Sequence, residues 1–180
     1  VDNLSLAYDV RMKEYRLARL QQNSDFHFLR KDITDKALIA QLQAELPPVE
    51  AVINLAAIAG VRTSTKDPWS SVHTNTLGTL KMLEFCARAG VKKFILASTS
   101  SLYGNEGKPP HAETAPTDHP LAPYAASKKG AEAFGYAYHH LYGIDVTVLR
   151  YFTVYGPAGR PDMVMFRFCQ WIAEGRPVLV

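Results

Sequence analysis

Val91-Lys92-Lys93-Phe94-Ile95-Leu96-Ala97-Ser98-Thr99-Ser100-Ser101 is the stretch whose reading decides the fold. Phe94 to Ala97 is an unbroken apolar run, the pattern of a strand buried on both faces of a parallel sheet rather than half-exposed on one. The strand, placed at Lys92–Ser98, ends in four hydroxyl residues. Downstream, Leu102–Leu121 carries Gly104, Pro109, Pro110, Pro116 and Pro120 and reads as loop. The loop delivers the chain to Pro123-Tyr124-Ala125-Ala126-Ser127-Lys128-Lys129. Tyr124 and Lys128 are four apart and share one face of a helix. A free phenol, with a pKa of about 10, is a weak base at neutral pH. An adjacent ammonium favours the phenolate. With a hydroxyl from the strand end, the group could draw a proton from a carbon-bound alcohol while hydride leaves the same carbon. The same spacing also fits a plain surface tyrosine and lysine on an amphipathic helix; the strand and loop before it favour the chemical reading.

Outward from that stretch, strands and helices alternate. Val1-Asp2 reads as the tail of a strand and Phe26–Leu29 as a short one. Ala51–Ala57 reads as a buried strand running into small residues, and Val146–Tyr151 as another. Helices are expected over 9–22, 35–46, 68–89 with Pro68 in the first turn and Gly90 as its stop, 124–142 ended by Gly143, and 163–174. Residues 58–66, holding Gly60 and Arg62, read as loop. The pattern predicts an α/β fold, a doubly wound parallel sheet covered on both faces. Ligands of such sheets bind at the carboxyl ends of the strands, where Asp2, Asp32, Ala57, Thr99 and Thr153 fall.

The 180 residues suffice for one domain with a sizeable core. A net charge of +3, with no long basic run, argues against a nucleic-acid partner. No apolar stretch approaches the roughly 20 residues that span a bilayer, and no signal peptide is evident. Cys86 and Cys169 have no metal-ligand spacing and read as thiols of a reducing compartment, so a cytoplasmic location is expected.

Taken in order, Val1-Asp2-Asn3-Leu4, Lys31-Asp32-Ile33, Val52–Ala57, Asn75-Thr76-Leu77-Gly78-Thr79, Ala97–Gly104, Tyr124–Lys128 and Leu149–Pro157 resemble the extended short-chain dehydrogenase/reductase family, the branch of NAD-dependent nucleotide-sugar epimerases and dehydratases. The resemblance implies a Rossmann-like cofactor domain over 1–155 and the start of a substrate-binding region over 156–180. It also implies that the family's first strand and Gly-rich loop are missing before Val1 and that more chain follows Val180. Asp2, with Asn3, matches the acid that binds the adenosine ribose. Such an acid would repel a 2′-phosphate, so NAD is favoured over NADP. Asp32 and Ile33 match the pair that brackets adenine; Leu55, Ala56 and Ala57 match the small strand end that admits the cofactor backbone. Asn75, Tyr151, Tyr124 and Lys128 match further cofactor contacts. Asp32 could instead cap a helix, and Asn75 could be a buried polar residue.

The family's catalytic set carries over to Thr99, Tyr124 and Lys128. Dehydratases carry Asp-Glu after the threonine, and UDP-glucuronate decarboxylases a glutamate at the second position. Ser100 and Ser101, the substrate-side residues here, supply neither, which leaves oxidation followed by reduction at C4. The segment from Phe152 to Met163 is similar to UDP-glucuronate 4-epimerases. That similarity makes Arg160 the candidate partner of the uronate carboxylate, with Thr153 as a hydrogen-bond donor; Arg62 is a further candidate or a solvated surface arginine. Ala158 departs from the pattern, where Trp is expected. A galactose-type epimerase, a reductase or dehydratase of the same family, and a non-catalytic nucleotide-binding relative stay open. The family's dimers use the helices matched by 68–89 and 124–142, so a homodimer is expected.

Overall fold

The computed structural model describes residues 1–105 and 109–178. Part of the expected 102–121 loop, and Leu179 and Val180 at the end of the expected substrate region, lie outside the described residues. The chain forms two compact units: Val1–Asp2 with Lys31–Phe152, and Asn3–Arg30 with Thr153–Val180.

The first unit is built on a three-stranded parallel sheet of β1 (Ala51–Asn54), β2 (Lys93–Thr99) and β3 (Asp145–Tyr151), in that order. The register pairs Ile53 with Ile95 and Ile95 with Thr147, and at the far end Thr99 with Tyr151. Helix α2 (Leu38–Glu45) buries Leu38, Ile39 and Leu42. After β1 come α3 (Val61–Lys66), α4 (Pro68–Ser71), a π-helical stretch (Val72–Gly78) and α5 (Thr79–Ala89). Pro68 sits in the first turn behind Asp67, whose carboxylate accepts from the Ser70 amide, and Gly90 ends α5 at φ 73°, a left-handed turn glycine tolerates without strain. Helix α6 (Pro123–Tyr142) ends on Gly143 in the same manner.

Both crossovers, β1 to β2 through α5 and β2 to β3 through α6, move the chain in one direction across the sheet. Right-handed connections therefore place both helices on the same face. That face holds Phe94 and Leu96, both fully buried. On the opposite face Ile53 is 61% exposed, and Leu149 and Tyr151 are exposed too. Phe26–Leu29, read as a strand, forms no ladder among the described residues; Arg30 after it makes a single bridge. An apolar run becomes a strand only where a neighbour takes its amides and carbonyls. The expected 58–66 loop contains α3, a one-turn-and-a-half helix entered through Gly60 at φ 126°. A Cβ on Gly60 would lie 2.4 Å from Thr63 Oγ1, so this entry needs glycine twice over.

In the second unit, α1 (Val10–Leu20) is capped by the Asp9 carboxylate on the Arg11 amide, and α7 is Val164–Ala173. Arg16 donates to the Gly159 carbonyl at 3.0 Å and to the Tyr8 hydroxyl at 3.0 Å, which ties the two segments together.

The first unit is pinned by an ion pair that crosses three elements. Glu132 on α6 takes Arg150 of β3 at 2.8 Å and 3.1 Å, and accepts from Ser98 Oγ of β2 at 2.5 Å. This pairing raises the Arg150 pKa further above its ordinary value. Removing one partner of a shielded pair leaves a poorly solvated charge, so Glu132→Ala should cost about 3 kcal/mol in urea unfolding. Arg11→Ala, which breaks the solvent-exposed Asp9–Arg11 pair, should leave the midpoint where it is.

Candidate active site

Pro123 at the first position of α6 has no N–H to leave unsatisfied and presets the helical φ. Tyr124, Lys128 and Glu132 then follow at four-residue intervals and form one stripe along the helix. Glu132 fixes the stripe to the ends of β2 and β3. Lys128, only 3% exposed, is fixed one turn earlier: its Nζ donates to the Ala97 carbonyl of β2 at 2.8 Å. Burial pulls the Lys128 pKa down from 10.5 to about 8. Below that value the group is an ammonium with little solvent around it. In such a setting a charge acts on a neighbouring phenol more strongly than in water.

Thr99, the last residue of β2, lies two residues beyond Ala97 and is buried. Its Oγ1 caps the 3₁₀ turn Ser100–Tyr103 by accepting from the Ser101 amide at 3.1 Å, and Oγ1 and Ser101 Oγ are also 3.1 Å apart. The turn explains why a run of hydroxyl residues ends the strand: extended backbone at Thr99 and a local side-chain cap release the chain from the sheet. Register sets Tyr151 directly beside Thr99. Thr99 and Tyr151 thus stand at the carboxyl ends of β2 and β3, with Lys128 bonded to Ala97 two residues before Thr99 and Tyr124 one helical turn from Lys128.

Asn75 lies in the π-helical stretch and is fully buried. Its Oδ1 accepts from the Ile58 amide at 2.8 Å, and its Nδ2 donates to the Ile58 carbonyl at 3.0 Å and to Ser127 Oγ at 2.9 Å. The amide therefore joins the segment after β1 to α6. Ala56 and Ala57 are half-buried, and Leu55 is 65% exposed. Ile33 is buried against Gly78, where a Cβ would come within 2.5 Å of Ile33 Cδ1. Asp32 Oδ1 accepts from the Thr34 amide at 2.8 Å and from Thr34 Oγ1 at 2.6 Å, a turn that leads into α2. Asp2 is exposed and makes a single bridge, and Arg62 is exposed on α3. Ser100 and Ser101 are half-buried on the 3₁₀ turn.

Asn3, Thr153 and Arg160 belong to the second unit. Asn3 and Thr153 are exposed. Arg160 forms a forked pair with Asp162, Nε to Oδ1 at 3.0 Å and Nη2 to Oδ2 at 2.5 Å. The guanidinium holds the Asp162 carboxyl below the usual carboxylate range.

Sequence reading did not single out Glu132, Arg150 or Ser127. A charged residue inside an apolar strand, and an acid four places beyond Lys128, were the available signals for the first two. Ser127 had none, because its partner Asn75 is 52 residues away.

A family model described as the NAD dependent epimerase/dehydratase family matches residues 5–180. The chain belongs to this family. A UDP-glucuronate 4-epimerase of Thermodesulfobacterium geofontis is 52% identical over 180 residues, all of this chain and 55% of that protein. A probable UDP-glucuronate 4-epimerase of Rhizobium meliloti is 44% identical, covering 98% of this chain and 52% of its own length. The crystal structure of UDP-glucuronic acid 4-epimerase from Bacillus cereus in complex with UDP-glucuronic acid and NAD superposes with a TM-score of 0.87 at 36% identity, over 98% of this chain and 55% of that one. This chain thus spans about half the length of the relatives it matches. The parallel sheet with flanking helices is the Rossmann-like arrangement of the epimerase/dehydratase family, as the resemblance implied.

The buried Lys128 gives the fold a pH signature. Its folded pKa of about 8 lies below the unfolded 10.5, so the unfolded chain binds the proton more tightly. The resulting penalty is complete below about pH 8 and disappears as pH rises to 10.5. Lys128→Met removes it. The stability difference between mutant and wild type should therefore fall by about 3 kcal/mol from pH 7 to the alkaline limit. Urea unfolding at both pH values measures this; the lost bond to Ala97 contributes equally at each and cancels. A pH-independent difference would mean that Lys128 is not buried as a cation.

Proposed function

We propose that the whole protein is an NAD-dependent nucleotide-sugar 4-epimerase whose substrate is UDP-glucuronate. One observation carries the reading: a buried Lys128 ammonium is anchored at the Ala97 carbonyl, one helical turn from Tyr124 and two residues before Thr99. In this reading Tyr124 accepts the C4 hydroxyl proton as phenolate. Lys128 favours that phenolate by its charge, and Thr99 holds the hydroxyl by a hydrogen bond, which requires its Oγ1 to turn from Ser101. Ser100 and Ser101 bind substrate and contribute no acid or base. Proton removal and return are thus the whole of the side-chain chemistry, and this is what epimerisation through a C4 ketone needs.

The residues at the strand ends fit NAD. Ala56 and Ala57 are small and only half-buried, the strand ends stand side by side, and the donor set pairs an acid for ribose hydroxyls, Asp2, and the amide of Asn3 with a cation, Lys128. Asp32, Ile33, Leu55, Asn75 and Tyr151 complete the proposed cofactor wall. When bound, NAD supplies the acceptor and later the donor of the C4 hydride. In this reading residues 1–155 hold the cofactor and 156–180 begin the substrate-binding region.

Thr153 and Arg160 are the proposed uronate contacts, with Arg62 as a further one. Asp162 already occupies one edge of the Arg160 guanidinium. A substrate carboxylate at this guanidinium must therefore compete with Asp162. The relatives' names and the Ser100-Ser101 pair support the uronate over a neutral sugar. The full-length protein, assayed with UDP-glucuronate and UDP-glucose, tests both levels. Tyr124→Phe should lower turnover about 100- to 10,000-fold with little change in NAD binding. Arg160→Leu should lower turnover efficiency with the uronate roughly 10- to 150-fold and spare the neutral sugar. Equal losses with both sugars make Arg160 structural, and a wild-type preference for UDP-glucose makes the enzyme galactose-type.

A homodimer through residues 68–89 and 124–142 belongs to the same reading. Trp69, Tyr136 and Leu141 are large, apolar and mostly exposed on these helices, and a second copy packed there would remove them from water. Sedimentation of the full-length protein should give twice the chain mass, and Tyr136→Glu should return it to monomer. A monomeric wild type excludes the interface.

A further inference from the structure

We propose that Ser64 is a positioning residue for Tyr124, acting as the N-cap of the helix that carries it from 60 residues upstream in the chain. The proposal deepens the reading above and rests on Tyr124 being the proton acceptor.

The start of α6 lacks the usual means of satisfying its amides. The N-cap residue is Ala122, which has no side-chain acceptor and makes no capping bond. Pro123 follows and has no N–H. The first amide that needs a partner is that of Tyr124 itself. It donates to Ser64 Oγ at 3.0 Å. Ser64 is 1% exposed, so water does not take its place. Its hydroxyl proton goes to the Val61 carbonyl at 2.7 Å, which leaves the oxygen's lone pairs for Tyr124.

The other end of the Tyr124 peptide unit is held as well. Ser127 Oγ donates to the Tyr124 carbonyl at 2.7 Å and accepts from Asn75 Nδ2 at 2.9 Å. Asn75 clamps both polar atoms of the Ile58 backbone, and Ile58 leads through Gly60 back to Ser64. The bonds and the chain together close a circuit that begins at the Tyr124 amide and ends at its carbonyl. A helix first turn normally frays. Here it is fixed by side chains from the segment between β1 and β2, and what it fixes is the distance from the Tyr124 phenol to the Lys128 ammonium. Without Ser64 the first turn loosens while Lys128, held at Ala97, stays. The phenol then loses part of the charge that favours its phenolate.

The test uses the full-length protein. In Ser64→Ala, exchange of the Tyr124 amide with solvent, followed by NMR, should speed up about tenfold or more. The turnover number should fall about tenfold, since small misplacements of a reacting group cost that much or more. KM should change less than about twofold, so that the loss falls on kcat. Ser64→Thr keeps the hydroxyl and should restore the amide protection and the turnover number; Ser64→Val has the shape of Thr without the hydroxyl and should behave as Ala. That pair decides the question if Ser64→Ala does not fold. Unchanged amide exchange in Ser64→Ala, or equal behaviour of Thr and Val, overturns the cap. Faster exchange with an unchanged turnover number overturns the positioning role. Tyr124→Phe is the separate control: if it keeps full turnover, the proton-acceptor reading fails, while the exchange data still judge the cap.

Discussion

A cation buried between a helix and a strand constrains this fold more than any other single contact. Lys128 could reach solvent only by leaving the α6–β2 interface, and its Nζ donates to a strand carbonyl rather than to an acid. An acid there would have stabilised the ammonium and raised its pKa. A carbonyl dipole satisfies the donor but leaves most of the desolvation uncompensated, and the pKa falls to about 8. The surrounding packing must therefore hold the charge in place against its own hydration. Four residues on, the Glu132–Arg150 pair supplies that hold by locking α6 to β3 and, through Ser98, to β2. One stripe of a helix thus combines a strained group with the ion pair that keeps it from relaxing.

The π-helical stretch has a comparable logic. A run of seven residues in π geometry is unfavourable by itself and concentrates at functional positions. It carries Asn75, whose amide could not serve Ile58 and Ser127 at once from a surface position. Thr79 Oγ1 donates to the Asn75 carbonyl at 2.6 Å and accepts from Asn54 Nδ2 at 3.0 Å, so side-chain bonds tie the irregular turn to α5 and β1. Gly78 closes the same stretch and lets Ile33 approach its backbone. Local helical regularity is given up where several tertiary bonds replace it.

These two features mark the boundary of what the sequence discloses. Strands β2 and β3 and the helices from Pro68 and Pro123 to their glycine stops are written in short-range signals: apolar runs, a proline in the first turn, a glycine at the left-handed end. So is the Tyr124–Lys128 spacing. The exposure of Ile53, Leu149 and Tyr151 was not legible, because an apolar strand reads the same whether its second face is covered or open. Phe26–Leu29 misled for the same reason, since composition does not say whether a neighbouring strand is present. The α3 turn was hidden because Gly60 and three small hydroxyl residues read as loop, and their helical bonds are made only where Ser64 finds Tyr124. Asn75 is the buried polar residue of the alternative raised for it, whereas Asp32 caps no helix: its carboxylate holds the Thr34 turn, and α2 starts behind Ala37 without a side-chain cap.

The distribution of the sequence-predicted residues over the two units has its own consequence. Thr99, Tyr124 and Lys128 depend for their placement on contacts made inside the first unit: Ala97, Ser101, Ser127, Glu132. Thr153 and Arg160 lie in the second, where Asp162 governs the guanidinium. The proposed proton-transfer and carboxylate-binding groups thus lie in different units. In the proposed reading a change at Asp162 that redirects Arg160 acts on substrate choice, whereas the desolvation that sets the Lys128 pKa arises inside the first unit. A change at Ser98 or Glu132 falls inside that unit instead. A family that keeps one oxidation chemistry while varying the sugar needs this separation, because selectivity can then drift through exposed residues whose replacement costs the fold little.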